Sequence, residues 1–112
     1  MLSIRKLCVN LLLFLITNLF IENANAKSFE HGEHLFIRNC NVCHVGGNNL
    51  IIPEKNLKQN TLETNGMNSI DAVVYQVTNG KNGMPAFGGR LEEEEIEEIA
   101  FYVLEAASKA DF

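Results

Sequence analysis

Five consecutive residues, Cys40-Asn41-Val42-Cys43-His44, constrain this chain more than any other part of its sequence. Two thiols separated by two residues can each add to one vinyl group of a haem, forming two thioether bonds. An imidazole directly after the second thiol is then held under the iron. Three other uses of these residues exist. A redox-active dithiol would not need the adjoining histidine, and the strand–helix alternation that usually hosts one is not visible. A zinc site could be assembled from Cys40, Cys43 and two of His31, His34 and His44. A plain disulfide is the third. Haem attachment is the reading that uses every residue of the motif.

The beginning of the chain sets the compartment. Arg5 and Lys6 precede an apolar run from Leu7 to Ile21, interrupted by Asn10, Thr17 and Asn18, and Ala24-Asn25-Ala26 supplies a small-x-small cleavage pattern. The run is short of the roughly 20 residues needed to span a membrane. Residues 1–26 are therefore expected to be a cleaved signal peptide, with an uncleaved anchor as the alternative. Residues 27–112 remain as one domain of 86 residues. Cys8 leaves with the leader, so the exported domain keeps one close thiol pair, which is no disulfide scaffold. A domain this small builds a modest core and commonly relies on a metal or cofactor as a staple.

The domain carries seven basic and thirteen acidic side chains, a formal charge of −6. That balance speaks against nucleic acid, which needs a basic stripe, and favours partners with a basic docking face. The acidic run Glu92 to Glu98 reads as helix-start carboxylates complementing the helix dipole, with cation binding as the lesser alternative.

Hydrophobic spacing predicts an all-α fold of about four helices. Ser28 is a plausible cap for a helix reaching about Asn41, and a weaker helical stretch covers Glu54 to Thr64. Ser69 caps a third helix, with Ile70, Val73, Val74 and Val77 on one face and Gly80 at its end. Residues 80–89 hold four glycines and a proline and form a shaped loop. The last helix opens near Glu92 and runs to about Ser108, burying Ile96, Ile99, Ala100, Val103 and Ala107. The first and last helices should cross with Gly32 and Phe36 against Ile99, Tyr102 and Val103.

A sixth iron ligand decides what such a haem can do, because methionine opposite histidine raises the potential and suits electron transfer. The domain has two candidates, Met67 and Met84. Met84 sits in the glycine-rich loop, where Gly83 allows close approach and Pro85 restrains the backbone. Met67 lies beside Gly66 and reads as core packing. Met84 is expected to be the ligand.

The run Val74-Tyr75-Gln76-Val77-Thr78-Asn79-Gly80-Lys81-Asn82-Gly83-Met84-Pro85-Ala86-Phe87-Gly88-Gly89-Arg90-Leu91 resembles the cytochrome c6 family, as does Cys40–His44 followed by Val45-Gly46-Gly47-Asn48-Asn49. The resemblance spans residues 27–112. Gly83 departs from it, since alanine is expected more often before the methionine. The resemblance implies a compact class I cytochrome c fold around one covalent haem c, with Cys40 and Cys43 as thioethers and His44 and Met84 as axial ligands. It implies no enzyme activity, but electron transfer from the cytochrome b6f complex, through cytochrome f, to photosystem I. It places the protein, as a monomer, in the thylakoid lumen of an algal plastid or a cyanobacterium. Gln76 matches a glutamine that tunes the haem potential, and Arg90 an arginine that docks to the photosystem. Two alternatives use the same attachment motif: a peroxidase or sensor with an open sixth position, and a periplasmic carrier feeding an oxidase.

Attachment is directly testable. Denaturation and acid-acetone extraction should leave haem on the polypeptide, and a Cys40→Ala, Cys43→Ala double variant should release it or fail to mature. A wild-type mass equal to the bare chain would sink the attachment reading.

Overall fold

The structure, a computed structural model, describes residues 2–112. Helix α1 spans Leu2–Asn39, α2 spans Asn41–His44, α3 spans Gln59–Thr64, α4 spans Ile70–Asn79 and α5 spans Glu93–Lys109. Short 3-10 turns cover Val45–Gly47 and Pro53–Lys55. Among the described residues there is no strand, so the all-α expectation holds.

Three boundaries differ from the sequence reading. Ser28 caps nothing, because α1 runs through it without interruption. No glycine or proline occurs between Leu2 and His31, so nothing breaks the helix where the leader meets the domain. The segment Glu54–Thr64 is not one helix. Pro53 starts a single 3-10 turn, and the chain then extends through Asn56 to Lys58 before α3 begins. The helix count rises from about four to five because Cys40 breaks away from α1 and Asn41–His44 forms its own turn. Elsewhere the local signals hold. The Ala72 amide donates to Ser69 Oγ at 3.2 Å, and α4 stops at Gly80. At the start of α5, Glu92 and Glu95 form a reciprocal capping box, with the Glu92 amide donating to Glu95 Oε2 at 2.8 Å. Part of the acidic run is therefore spent on satisfying the open amides of the helix start.

The core lies in two clusters. One is built where α1 crosses α5, from Leu35, Phe36 and Cys40 against Ile99, Tyr102, Val103, Ala106 and Ala107, with Leu62 of α3 beneath. The other joins Val73 and Val77 of α4 to Phe87, Ile96 and Ala100. Met67, Leu91 and Leu104 touch both. The long loop after α4 is clipped back onto that helix, since the Phe87 and Gly88 amides donate to the Val77 and Thr78 carbonyls at 2.9 and 3.0 Å.

The crossing of α1 and α5 depends on Gly32, as its sequence position suggested. Gly32 is buried, and a Cβ there would drive into the Glu98 carbonyl and lie 3.1 Å from Tyr102 Cβ. Around this approach Phe29 and Phe36 each stack on Tyr102 at 5.2 Å between ring centroids, and His31 pairs with Glu98. Below Ser28, by contrast, residues 3–27 are exposed throughout.

Because the obstacle at Gly32 is backbone, the helices must separate to admit a side chain. Gly32→Ala should cost about 1–3 kcal/mol, the usual range for overpacking. For a domain of this size that is a fall of roughly 4–8 °C in Tm per kcal/mol. Thermal unfolding followed by circular dichroism measures it, and an unchanged Tm would show that the crossing is not limited by this contact.

Candidate functional site

Between the two clusters lies a cavity of about 440 Å³. Its wall is chiefly apolar, with Phe36, Ile52, Leu57, Val73, Val77, Phe87, Ile99 and Val103 among its members. Into the same cavity face Cys40, Cys43, His44, Gln76 and Met84, which brings together five of the six residues singled out in the sequence.

The attachment motif owes its shape to the end of α1. The Cys40 amide still donates to the Phe36 carbonyl at 2.8 Å, while the Cys40 carbonyl receives the Cys43 and His44 amides at 3.1 and 2.9 Å. This one-turn wrap sets both thiols and the imidazole along one wall. Burial, with Cys43 beside it, pushes the Cys40 thiol up to about 11, so as a free group it stays protonated at neutral pH. A buried thiol held in this form is a poor dithiol catalyst, which depends on a stabilised thiolate.

His44 Nδ1 lies 2.8 Å from the Asn48 carbonyl. A carbonyl only accepts, so the ring must donate its Nδ1 proton there, leaving the Nε2 lone pair free for a metal. The loop that supplies this carbonyl is itself tied down. Leu50 donates to the Cys43 carbonyl at 3.0 Å, and Asn49 Oδ1 receives the Ile51 and Ile52 amides at 3.0 and 2.9 Å. Asn49 Nδ2 closes the loop onto the Lys55 carbonyl at 2.9 Å. Asn48 and Asn49 are the site residues that sequence reasoning missed. For Asn49 the signal was present in asparagine's habit of bonding to backbone two residues ahead, whereas Asn48 acts through its main-chain carbonyl, which no residue type marks.

On the other side, Lys81 and Met84 exchange two backbone hydrogen bonds, each of 3.0 Å, which fold residues 81–84 into a tight turn with Asn82 left-handed at φ 53°. Gln76 Nε2 lies 3.7 Å from Met84 Sδ, a weak N–H···S contact at the half-buried end of α4. Met67 also lines the cavity, but it is packed against both core clusters. Arg90 stands apart. It is exposed outside the cavity, with its guanidinium 5.1 Å above the Phe87 ring and its amide bonded to the Phe87 carbonyl. Of the histidines once available to zinc, His31 is engaged by Glu98 and His34 is exposed. Among the described residues no three His, Cys, Asp or Glu side chains gather as a metal site.

The donor set fits a haem. Two thiols for covalent attachment, an imidazole with its second nitrogen already committed, and a thioether all border one apolar cavity. Fold and site together define a single-haem c-type cytochrome.

The comparisons agree and go further. The family model described as "Cytochrome C oxidase, cbb3-type, subunit III" matches residues 27–103. Cytochrome c6 of Porphyra purpurea is 57% identical over 90 residues, covering 80% of this chain and 82% of that one. Cytochrome c6 of Bumilleriopsis filiformis is 63% identical over 75 residues, covering 67% and 87%. The crystal structure of cytochrome c6 from the diatom Phaeodactylum tricornutum superposes with a TM-score of 0.71 at 46% identity, covering 73% of this chain and 97% of that one. The chain belongs to the cytochrome c6 family. It is accordingly an electron-transfer protein rather than an enzyme, built for one covalently bound haem c.

Proposed function

We propose that Cys40 and Cys43 form the thioethers, that His44 and Met84 are the axial ligands, and that the mature carrier shuttles electrons from the cytochrome b6f complex to photosystem I. The observation that carries this reading is the pairing of His44, its ring committed to Asn48, with Met84 across one apolar cavity. When bound, the haem supplies a one-electron couple at its iron. The rest is the work of the chain. Asn48 fixes the imidazole tautomer, so the ligand nitrogen needs no reorganisation between oxidation states. The 81–84 turn holds the thioether in place, and a thioether ligand would favour the reduced iron and keep small molecules out. Gln76 donates weakly to Met84 Sδ, which draws electron density from the sulfur and tunes the potential. The apolar wall excludes water and limits the charge reorganisation that accompanies transfer.

The leader supports export to a separate compartment. Burial begins at Ser28, and residues 3–27 are exposed, as a removable export signal followed by a folded domain would be. Helix α1 is long and apolar enough at its start to enter a membrane, a property it shares with signal sequences. Cleavage after Ala26 would release residues 27–112 as a soluble monomer into the thylakoid lumen. There cytochrome f is the donor, and Arg90, held over Phe87 at the surface, is a docking contact for photosystem I.

Two measurements test the reading. Met84→Ala should abolish the weak near-infrared sulfur-to-iron absorption of the oxidised protein, lower the potential and open the iron to carbon monoxide. Met67→Leu conserves volume at a packed position and should do none of these. A band lost in the second variant and kept in the first would reverse the assignment. The formal charge of −6 on residues 27–112 also implies steering towards a basic surface. Flash-timed reduction of photosystem I should therefore slow as the Debye length falls from ~10 Å at 0.1 M salt to ~3 Å at 1 M. A rate that is flat or rising over that range would remove charge steering from the account.

A further inference from the structure

Phe112 lies far from the iron ligands in sequence, yet it reaches the segment that orients His44. After α5 the chain reverses at Ala110, which takes the left-handed conformation (φ 52°, ψ 44°) that L-residues other than glycine seldom adopt. The Asp111 amide donates to the Ala106 carbonyl at 2.9 Å and the Ala110 amide to the Ala107 carbonyl at 3.2 Å, the pattern that turns a chain back over its own helix end. The reversal lays the Phe112 ring on Gly47. A Cβ on Gly47 would sit 2.5 Å from Phe112 Cδ2 and 2.8 Å from Cγ, so the ring occupies the space a side chain would need. The ring is also edge-on to Tyr102 at 6.2 Å and 6.0 Å from Phe36, both members of the α1–α5 cluster.

Gly47 is buried and left-handed at φ 72°, and it ends the 3-10 turn that presents the Asn48 carbonyl to His44 Nδ1. The same turn is also held by hydrogen bonds, the Leu57 amide donating to the Gly47 carbonyl at 2.8 Å and Lys58 Nζ to the Gly46 carbonyl at 2.9 Å. The turn is thus held both by hydrogen bonds from residues 57 and 58 and by an aromatic ring anchored in the core. We propose that Phe112 is a positioning residue for the histidine ligand: its ring wedges against Gly47 and fixes the Asn48 carbonyl that sets the orientation of the His44 ring. This rests on the reading of His44 as an axial ligand. Removing the ring would leave the core largely in place but free the 45–48 turn to move, so the His44 Nδ1–H bond would open more often.

The test uses the haem-loaded protein in its ferrous form and three variants: Phe112→Ala, Phe112→Tyr and Phe29→Ala. Phe29 stacks on the same Tyr102 without meeting the turn, so it controls for loss of aromatic packing alone. Both alanine variants should lower Tm. Hydrogen exchange by NMR at His44 Nδ1–H and at the Asn48 and Leu57 amides should accelerate about tenfold in Phe112→Ala only, beyond the change in global stability, and return towards wild type in Phe112→Tyr. Unchanged exchange in Phe112→Ala, or equal acceleration in Phe29→Ala, would overturn the wedge. A wild-type His44 ring with no haem-induced shift would instead overturn the ligand assignment on which the wedge rests.

Discussion

Everything in this domain depends on the approach of α1 to α5. The two helices come close enough at Gly32 for one backbone to meet the other, and the aromatic rings of Phe29, Phe36 and Tyr102 lock that crossing from the sides. Dispersion and burial over such a surface are strong only when the contact is close, and one added carbon would already forfeit much of it. Because Cys40, the residue directly after α1, packs in this cluster, the crossing also sets where the attachment motif begins. The short α2 turn and the loop to Lys55 then follow from hydrogen bonds that start at the Cys40 and Cys43 carbonyls.

The divided core has a simple physical meaning. Two clusters of buried side chains, each too small to stabilise a domain alone, face each other across an apolar gap bridged by Met67, Leu91 and Leu104. The polypeptide leaves this space for a group it does not itself supply. A covalently held cofactor there would close that gap and could not dissociate, which would make it as permanent a part of the core as any leucine. The same gap brings the imidazole and the thioether into one environment of low polarity, where a small contact such as Gln76 with Met84 Sδ is felt more strongly than it would be in water.

Much of this was legible in the sequence, for physical reasons that differ from place to place. Helices α4 and α5 were readable because their apolar residues repeat at helical spacing and their ends carry Ser69, Gly80 and Glu92. The cofactor motif was readable because its chemistry demands a fixed residue order. The start of the domain was not, since Ser28 looks like a cap but stands in a stretch with no residue able to stop the preceding helix. The Glu54–Thr64 segment was misjudged because its helix propensity is weak, Pro53 opens only a single 3-10 turn, and the Asn49 side chain ties the path down through a bond to the Lys55 carbonyl. Asn48 could not be recognised at all from spacing, because it acts through a carbonyl that every residue possesses. The contact of Phe112 with Gly47 joins residues 65 positions apart and leaves no local trace.

The unbroken run of α1 from Leu2 to Asn39 has an electrical consequence. While the leader is joined to the domain, Glu30 and Glu33 stand in mid-helix, where each amide is paired and the dipole offers them little. Cleavage after Ala26, as proposed, would move the helix terminus to Lys27 and expose the first four amides to solvent. Glu30 would become a first-turn carboxylate, facing both the positive pole of the shortened helix and the newly created ammonium. The cut would thus turn one indifferent surface charge, Glu30, into part of a terminus that holds itself together, in a helix that had needed no terminus there before.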